Sequence, residues 1–274
     1  MKKFLKLIRT RWLTFLITIM LGILLILSIN EYIIQYSMID DYTFSDFRIV
    51  YFDMQSYTGL LSLFFPLFLI ILVIDKWHNL FKNGNIKNYL TRLSYNDLKK
   101  KVTKSIALTA LWYPIILLIY FIISLILSGG RIEQLTISNF DNRFEFNLYQ
   151  YFPIYMILHC ILLYIAGLAT EAFALLFLNR VKSKIGTVLF SYCAYFLSIF
   201  LLAYAVDVLI QMFLDIEINT WYINYFQIWY PSSNINYGLY LISNIIFCSV
   251  ISLVIHKMYK KKEKVLMTNE KEMV

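Results

Sequence analysis

The chain has 274 residues, 60% of them hydrophobic and 18% aromatic, against 15% charged, with a formal net charge of +8. An ordinary soluble domain carries roughly 45–50% apolar and about 25% charged residues, and a disordered chain is poor in aromatics, so both classes are excluded. A spanning helix needs about 20 mostly apolar residues to cross roughly 30 Å of hydrocarbon, so the composition predicts an all-α polytopic membrane protein.

Six apolar runs follow one another along the chain: Trp12 to Ile29, Thr58 to Ile74, Ser105 to Leu127, Tyr151 to Leu178, Ile185 to Leu214 and Gly238 to His256. Helices are expected in all six, because none alternates apolar and polar at every second residue as the strands of a membrane barrel do. The second run sits at the short end of a spanning length, whereas the fourth and fifth are long enough to tilt. Lys2, Lys3, Lys6, Arg9 and Arg11 resemble the start of a signal peptide. The run behind them exceeds a signal peptide's apolar core and no small-x-small site follows Leu27, so an uncleaved first helix is expected. Phe4, Leu5, Ile8 and Trp12 lie near one helical face of that segment and Lys2, Lys6 and Arg9 around the other, which suits a short helix at the inner membrane surface.

Charge predicts the orientation. The alternating segments that include both termini hold 22 of the 25 Lys and Arg residues. By the positive-inside rule both termini are expected to be cytoplasmic, with three loops outside. An even number of spans is needed to keep that alternation, and the net positive charge is topological rather than a sign of nucleic-acid binding. No segment outside the runs is long enough for an independent domain, so residues 1–274 read as one transmembrane domain with a basic tail at 257–274. Cys160, Cys193 and Cys248 fall within apolar runs without Cys-x-x-Cys spacing and read as small buried hydrophobes, with no metal bound.

The segment between the second and third runs, Asp75 to Lys104, is the most informative. After the Asn83-Gly84 turn signal, Ile86, Tyr89, Leu90 and Leu93 recur at i, i+3, i+4 and i+7, the stripe of a short amphipathic helix. Ser94 followed three residues later by Asp97 is a capping-box pattern that starts a new helix running into the third span. Such a helix either rests on the bilayer surface or inserts its stripe into a groove on a soluble partner.

Asp75 leaving span two, Gly84, the run Leu90-Thr91-Arg92-Leu93-Ser94, and Lys104 entering span three resemble ABC-2 type transporter permeases. The six-span layout, the basic amphipathic N-terminus, the short basic loop Asn179 to Lys184 and Tyr230-Pro231-Ser232 before span six extend the likeness. Two departures stand out: the family usually has Glu where Asp75 stands and often Pro where Leu93 stands. The resemblance implies a non-catalytic subunit that pairs with a second permease and a cytoplasmic ATPase in a bacterial plasma membrane. The segment after span two would then be the coupling helix, with Asp75, Gly84, Ile86, Tyr89, Leu90, Arg92, Leu93 and Ser94 at or near the docking site. It further implies a hydrophobic or amphipathic cargo of the antimicrobial-peptide type, in export or self-immunity. No cofactor is expected on this chain, with ATP and Mg held by the partner.

Catalytic patterns are missing from the sequence. It contains no G-x-x-x-x-G-K-[ST], no H-E-x-x-H and no G-x-S-x-G, so neither phosphate cradling nor hydrolase chemistry has a motif. The ionisable side chains well inside the runs are His159, Glu171 and Asp207, and such residues mark functional sites by default. His159 reads as a neutral hydrogen-bonding residue, and it is 12 residues from Glu171, about 18 Å along a helix, so the two belong to different places. Glu171 and Asp207 either line the substrate path or pair near an interface. Trp12, Tyr32, Tyr36, Tyr57, Trp77, Trp221, Trp229, Tyr230 and Tyr259 form interfacial belts at the span ends. The segment Trp221 to Trp229 reads as an interfacial or re-entrant helix. The rival to a permease is a membrane-embedded scaffold or intramembrane enzyme acting without ATP.

Overall fold

The computed structural model describes residues 12–37, 47–48, 50–51, 59–82, 95–131, 152–178, 181, 183–214, 244–255 and 257. Helices make up nearly all of them, and there is no strand among the described residues. In chain order these are α1 (Trp12–Ser37), α2 (Gly59–Lys82), α3 (Tyr95–Ala110), α4 (Trp112–Leu127), α5 (Phe152–Leu178), α6 (Lys184–Leu214) and α7 (Asn244–Ile255). Two helical stretches, Lys100–Leu127 across α3 and α4 and Phe152–Leu178, are long and apolar enough to cross a membrane. The all-helical class expected from composition is therefore present, and these two helices fit a membrane protein.

Two boundaries differ from the apolar runs in an instructive way. The second run ends at Ile74, but α2 continues through Asp75 and Lys76 to Lys82. Hydropathy stops where charge begins, whereas a helix is carried on by its backbone hydrogen bonds whatever the polarity of its side chains. The third run is interrupted at Leu111, between α3 and α4. Pro114 supplies the cause: it has no N–H to give to the Ala110 carbonyl, while the next bond, from the Ile115 N–H to the Leu111 carbonyl, forms at 3.1 Å.

Helix ends follow local chemistry. The Ser183 hydroxyl oxygen accepts from the Gly186 N–H at 3.3 Å, capping the start of α6. Gly129 and Gly130, with φ of 60° and 71°, end α4, and the Gly130 N–H bonds back to the Leu125 carbonyl at 2.9 Å. The chain leaving that turn is held to the segment near residue 47, since the Phe47 N–H donates to the Arg131 carbonyl at 3.2 Å.

Helix α5 is the hub, packing against α2, α3, α4 and α6. In its first half one stripe is buried, Phe152, Tyr155, His159, Leu162 and Ala166, while Ile154, Ile157 and Ile161 face outward. In its second half Ala169 through Ala174 are all buried, so this part is enclosed on every side. Small residues permit that enclosure: a Cβ added at Gly167 would lie 3.2 Å from the Ala110 Cα and 3.1 Å from the Tyr113 ring. Close backbone approach through small residues is the usual way for helices to pack in lipid, where burial alone gives little drive. The outward faces of α1, α3, α4 and α6 carry Ile23, Ile26, Leu118, Ile122, Leu189 and Leu197, large apolar side chains suited to hydrocarbon.

Candidate functional site

The polar groups of the bundle gather at three places along α5. At the end where α2 stops and α3 begins, here called the basic end, Asp75 and Lys76 sit on consecutive positions of α2. Consecutive helical residues point about 100° apart, so the two reach different neighbours. Asp75 pairs with Lys184 at the start of α6, with the carboxylate side chain 7% exposed and the lysine 33%. Lys76 donates from Nζ to the Ser105 hydroxyl of α3 at 2.6 Å. The end of α2 is thus tied to α6 on one side and to α3 on the other.

Glu171 of α5 lies between these ties, 0% exposed. The Thr109 hydroxyl and the Lys76 ammonium are the polar groups that face it. Thr109 has one hydroxyl proton, and it is directed to the Ser105 carbonyl at 2.9 Å and the Ile106 carbonyl at 3.1 Å. Neither Glu171 oxygen has a hydrogen-bond partner within normal geometry among the described residues. A buried carboxylate in that state is unfavourable by several kcal/mol unless something compensates. Around this group Ile70, Val73, Ile74, Trp77, Val102, Ile106 and Ala174 form an apolar packing cluster that keeps water away.

At the position before Glu171, the Thr170 side chain is reached by the hydroxyls of Tyr113 on α4 and Tyr195 on α6. The Thr170 hydroxyl itself donates to the Ala166 carbonyl at 2.8 Å, which leaves its two lone pairs for the two tyrosines. Cys248 of α7 lies beside both rings. This knot joins α4, α5 and α6 through one hydroxyl, with Cys248 of α7 beside it. Next to Thr170 in sequence, Glu171 points to a different face of α5.

At the opposite end Phe47, Tyr51, Phe121 and Phe152 form an aromatic box. Phe47 meets Phe152 edge-on at 5.4 Å, Tyr51 meets Phe152 at 5.5 Å, and Phe121 stacks on Phe152 at 6.1 Å. Tyr155, one turn further, packs edge-on against His159 at 5.2 Å. His159 is accordingly a core residue in an aromatic setting, and no group of three or more metal-ligating side chains occurs among the described residues.

Of the residues singled out from sequence, Asp75 and Glu171 fall in one cluster at the basic end, and His159 stands apart on the same helix. Asp207 lies on α6, with its side chain outside the described residues. Gly84, Ile86, Tyr89, Leu90, Arg92, Leu93 and Ser94 also lie outside them; α3 begins at Tyr95, directly after Ser94. Sequence reasoning missed Lys76, Ser105, Thr109 and Lys184, which surround Asp75 and Glu171. Lys76 had a signal, standing next to Asp75 at the end of an apolar run, whereas Ser105 and Thr109 look like any hydroxyl residue in a membrane helix. No protein family, curated protein or solved structure matches the chain.

Proposed function

We propose that the chain is the transmembrane subunit of an ATP-driven exporter, crossing a bacterial plasma membrane six times with both termini and the 75–104 loop in the cytoplasm. The observation that carries this reading is the charge distribution, with 22 of 25 basic residues in alternate segments, combined with the ABC-2 permease-like residues in the most basic of those segments. The helical stretches over the apolar runs and the outward apolar faces are consistent with it. ATP and Mg belong to a separate ATPase, since this sequence has no P-loop.

Mechanically, the loop between α2 and α3 is the lever. It is anchored at one end by α2, held by Asp75 and Lys76, and at the other by α3, which packs on α5. A pull on the loop by closing ATPase subunits is therefore delivered to the hub helix. The aromatic, charge-poor interior favours a hydrophobic or amphipathic cargo such as an antimicrobial peptide; this step is analogy to the resembled family.

Co-purification with a Walker-A ATPase, which a transport permease is expected to have encoded beside it, tests the reading. Replacing Tyr89 and Leu90 together by Asp places two charges on the apolar stripe and is expected to abolish it. Retained co-purification refutes the docking role. A deletion strain whose peptide secretion and peptide sensitivity are both unchanged refutes the cargo class.

A further inference from the structure

Glu171 is the feature of this bundle that the architecture does not explain. It is 0% exposed, neither of its oxygens has a hydrogen-bond partner within normal geometry among the described residues, and it lies in the most enclosed part of the hub helix. An apolar residue of similar size would suit that position better in the arrangement described above. Groups that are unfavourable in one conformation persist where another conformation uses them.

The groups facing it indicate what that conformation is. From α3 it is faced by Thr109, whose proton is committed to backbone carbonyls. From α2 it is faced by Lys76, whose ammonium is bonded to Ser105. Also at this end, Asp75 and Lys184 are paired with each other, and Asp97, Lys99, Lys100, Lys101 and Lys104 lie on α3. Lys76 is an exposed residue while it bonds Ser105, and carrying its ammonium to the buried Glu171 carboxylate costs desolvation that the charge pair has to offset. Its side chain has four rotatable carbons and one strongly hydrated charge, suited to moving between acceptors.

The backbone provides the matching freedom. Ser105 and Thr109 belong to α3, which passes into α4 through Leu111 with helical backbone angles, where Pro114 has no N–H to donate to the Ala110 carbonyl. Just before Leu111, Ala110 rests directly on Gly167 of α5. A helix that lacks one backbone bond beside a close contact can bend at that point. Bending there moves Ser105 relative to α2 and α5.

We propose that Lys76 has two seats, the Ser105 hydroxyl and the Glu171 carboxylate, and that exchanging them loosens α3 from α2 and opens the basic end of the bundle. The Asp75–Lys184 pair keeps α2 fixed to α6 during the exchange. With Lys76 on Ser105, α2 and α3 are tied and the basic end is closed. With Lys76 on Glu171, α2 is tied to α5 instead, and α3 is held to α2 by apolar packing alone. The inference concerns this chain's own motion and stands whether or not the helices serve an exporter.

The test uses Ile106, buried between α2, α3 and α5 and uncovered when α3 bends away. Ile106→Cys is placed in full-length protein with Cys160, Cys193 and Cys248 replaced by Ala, and its rate of labelling by a soluble maleimide is measured in detergent. Glu171→Met removes the second seat, so labelling is expected to slow several-fold and the thermal midpoint to rise. Ser105→Ala removes the first seat, so labelling is expected to speed up several-fold. Opposite effects from two substitutions around one ammonium are the signature of the exchange. If both change labelling in the same direction, if either leaves it unchanged, or if Glu171→Met lowers the thermal midpoint, Glu171 is a structural residue of the closed bundle and the proposal is overturned.

Discussion

Gly167 provides the sharpest test of the packing. A Cβ there would sit 3.1 Å from Tyr113 Cδ2 and 3.2 Å from both the Cα and Cβ of Ala110. Carbon atoms prefer about 3.5–4.0 Å, so α5 and the α3–α4 stretch must separate by roughly half an ångström. The neighbours resist: one contact is backbone, and the Tyr113 ring is buried with its hydroxyl held by Thr170. Gly167→Ala should gain up to about 1 kcal/mol of helix propensity and lose about 1–3 kcal/mol to overpacking, leaving a net loss of about 0–2 kcal/mol. Gly22, which has nothing within 4 Å of an added Cβ, is the internal control. Gly22→Ala should realise the propensity gain without the clash. The two variants should therefore differ by about 1–3 kcal/mol, so their thermal midpoints should differ by roughly 2–12 °C at about 2–4 °C per kcal/mol, with Gly167→Ala the lower. Equal stabilisation by the two substitutions would show that the α5 contact with Ala110 is not close, and the fulcrum assigned to it would be lost.

Further outcomes follow from other contacts. Asp75→Asn and Lys184→Met should each lower the thermal midpoint, while the double variant should lose less than their sum, with a coupling on the order of 1 kcal/mol because Lys184 is one-third exposed; an additive double variant refutes the pair. Phe152→Ala removes the ring shared by Phe47, Tyr51 and Phe121, and is expected to cost about 3–5 kcal/mol by thermal or denaturant unfolding; a loss under about 1 kcal/mol means the aromatic box is not formed. Gly130→Ala places a side chain at a φ of 71° and should destabilise by about 1 kcal/mol although nothing lies near its Cβ; an unchanged midpoint refutes the left-handed turn at the end of α4.

How much of this was legible in the sequence depends on the length scale of each cause. Helices over the apolar runs were legible because spanning helices depend on a one-dimensional count of apolar residues. The ties of α2 past Ile74 were not, because they involve Lys184 and Ser105, which are distant in sequence. Glu171 was singled out as an ionisable residue in an apolar run, yet whether it met a partner or an interface was undecidable from its neighbours along the chain. The backbone bond missing at Ala110 had a local cause in Pro114, visible in the sequence but carrying no consequence until Gly167 was seen to rest beside it.

The sequence by itself determined that this chain is helical, apolar and segregated in charge, since those properties follow from composition and from periodicity within single segments. Only the tertiary structure decided that α5 is the hub, that Asp75 reaches Lys184 while Lys76 reaches Ser105, and that Glu171 is enclosed without a hydrogen-bond partner within normal geometry among the described residues. The physical reason is that packing and desolvation act between residues far apart in the chain. A carboxylate in an apolar run reads the same whether it meets water, a cation or neither, and here its surroundings leave it facing Lys76 across the gap between α2 and α5.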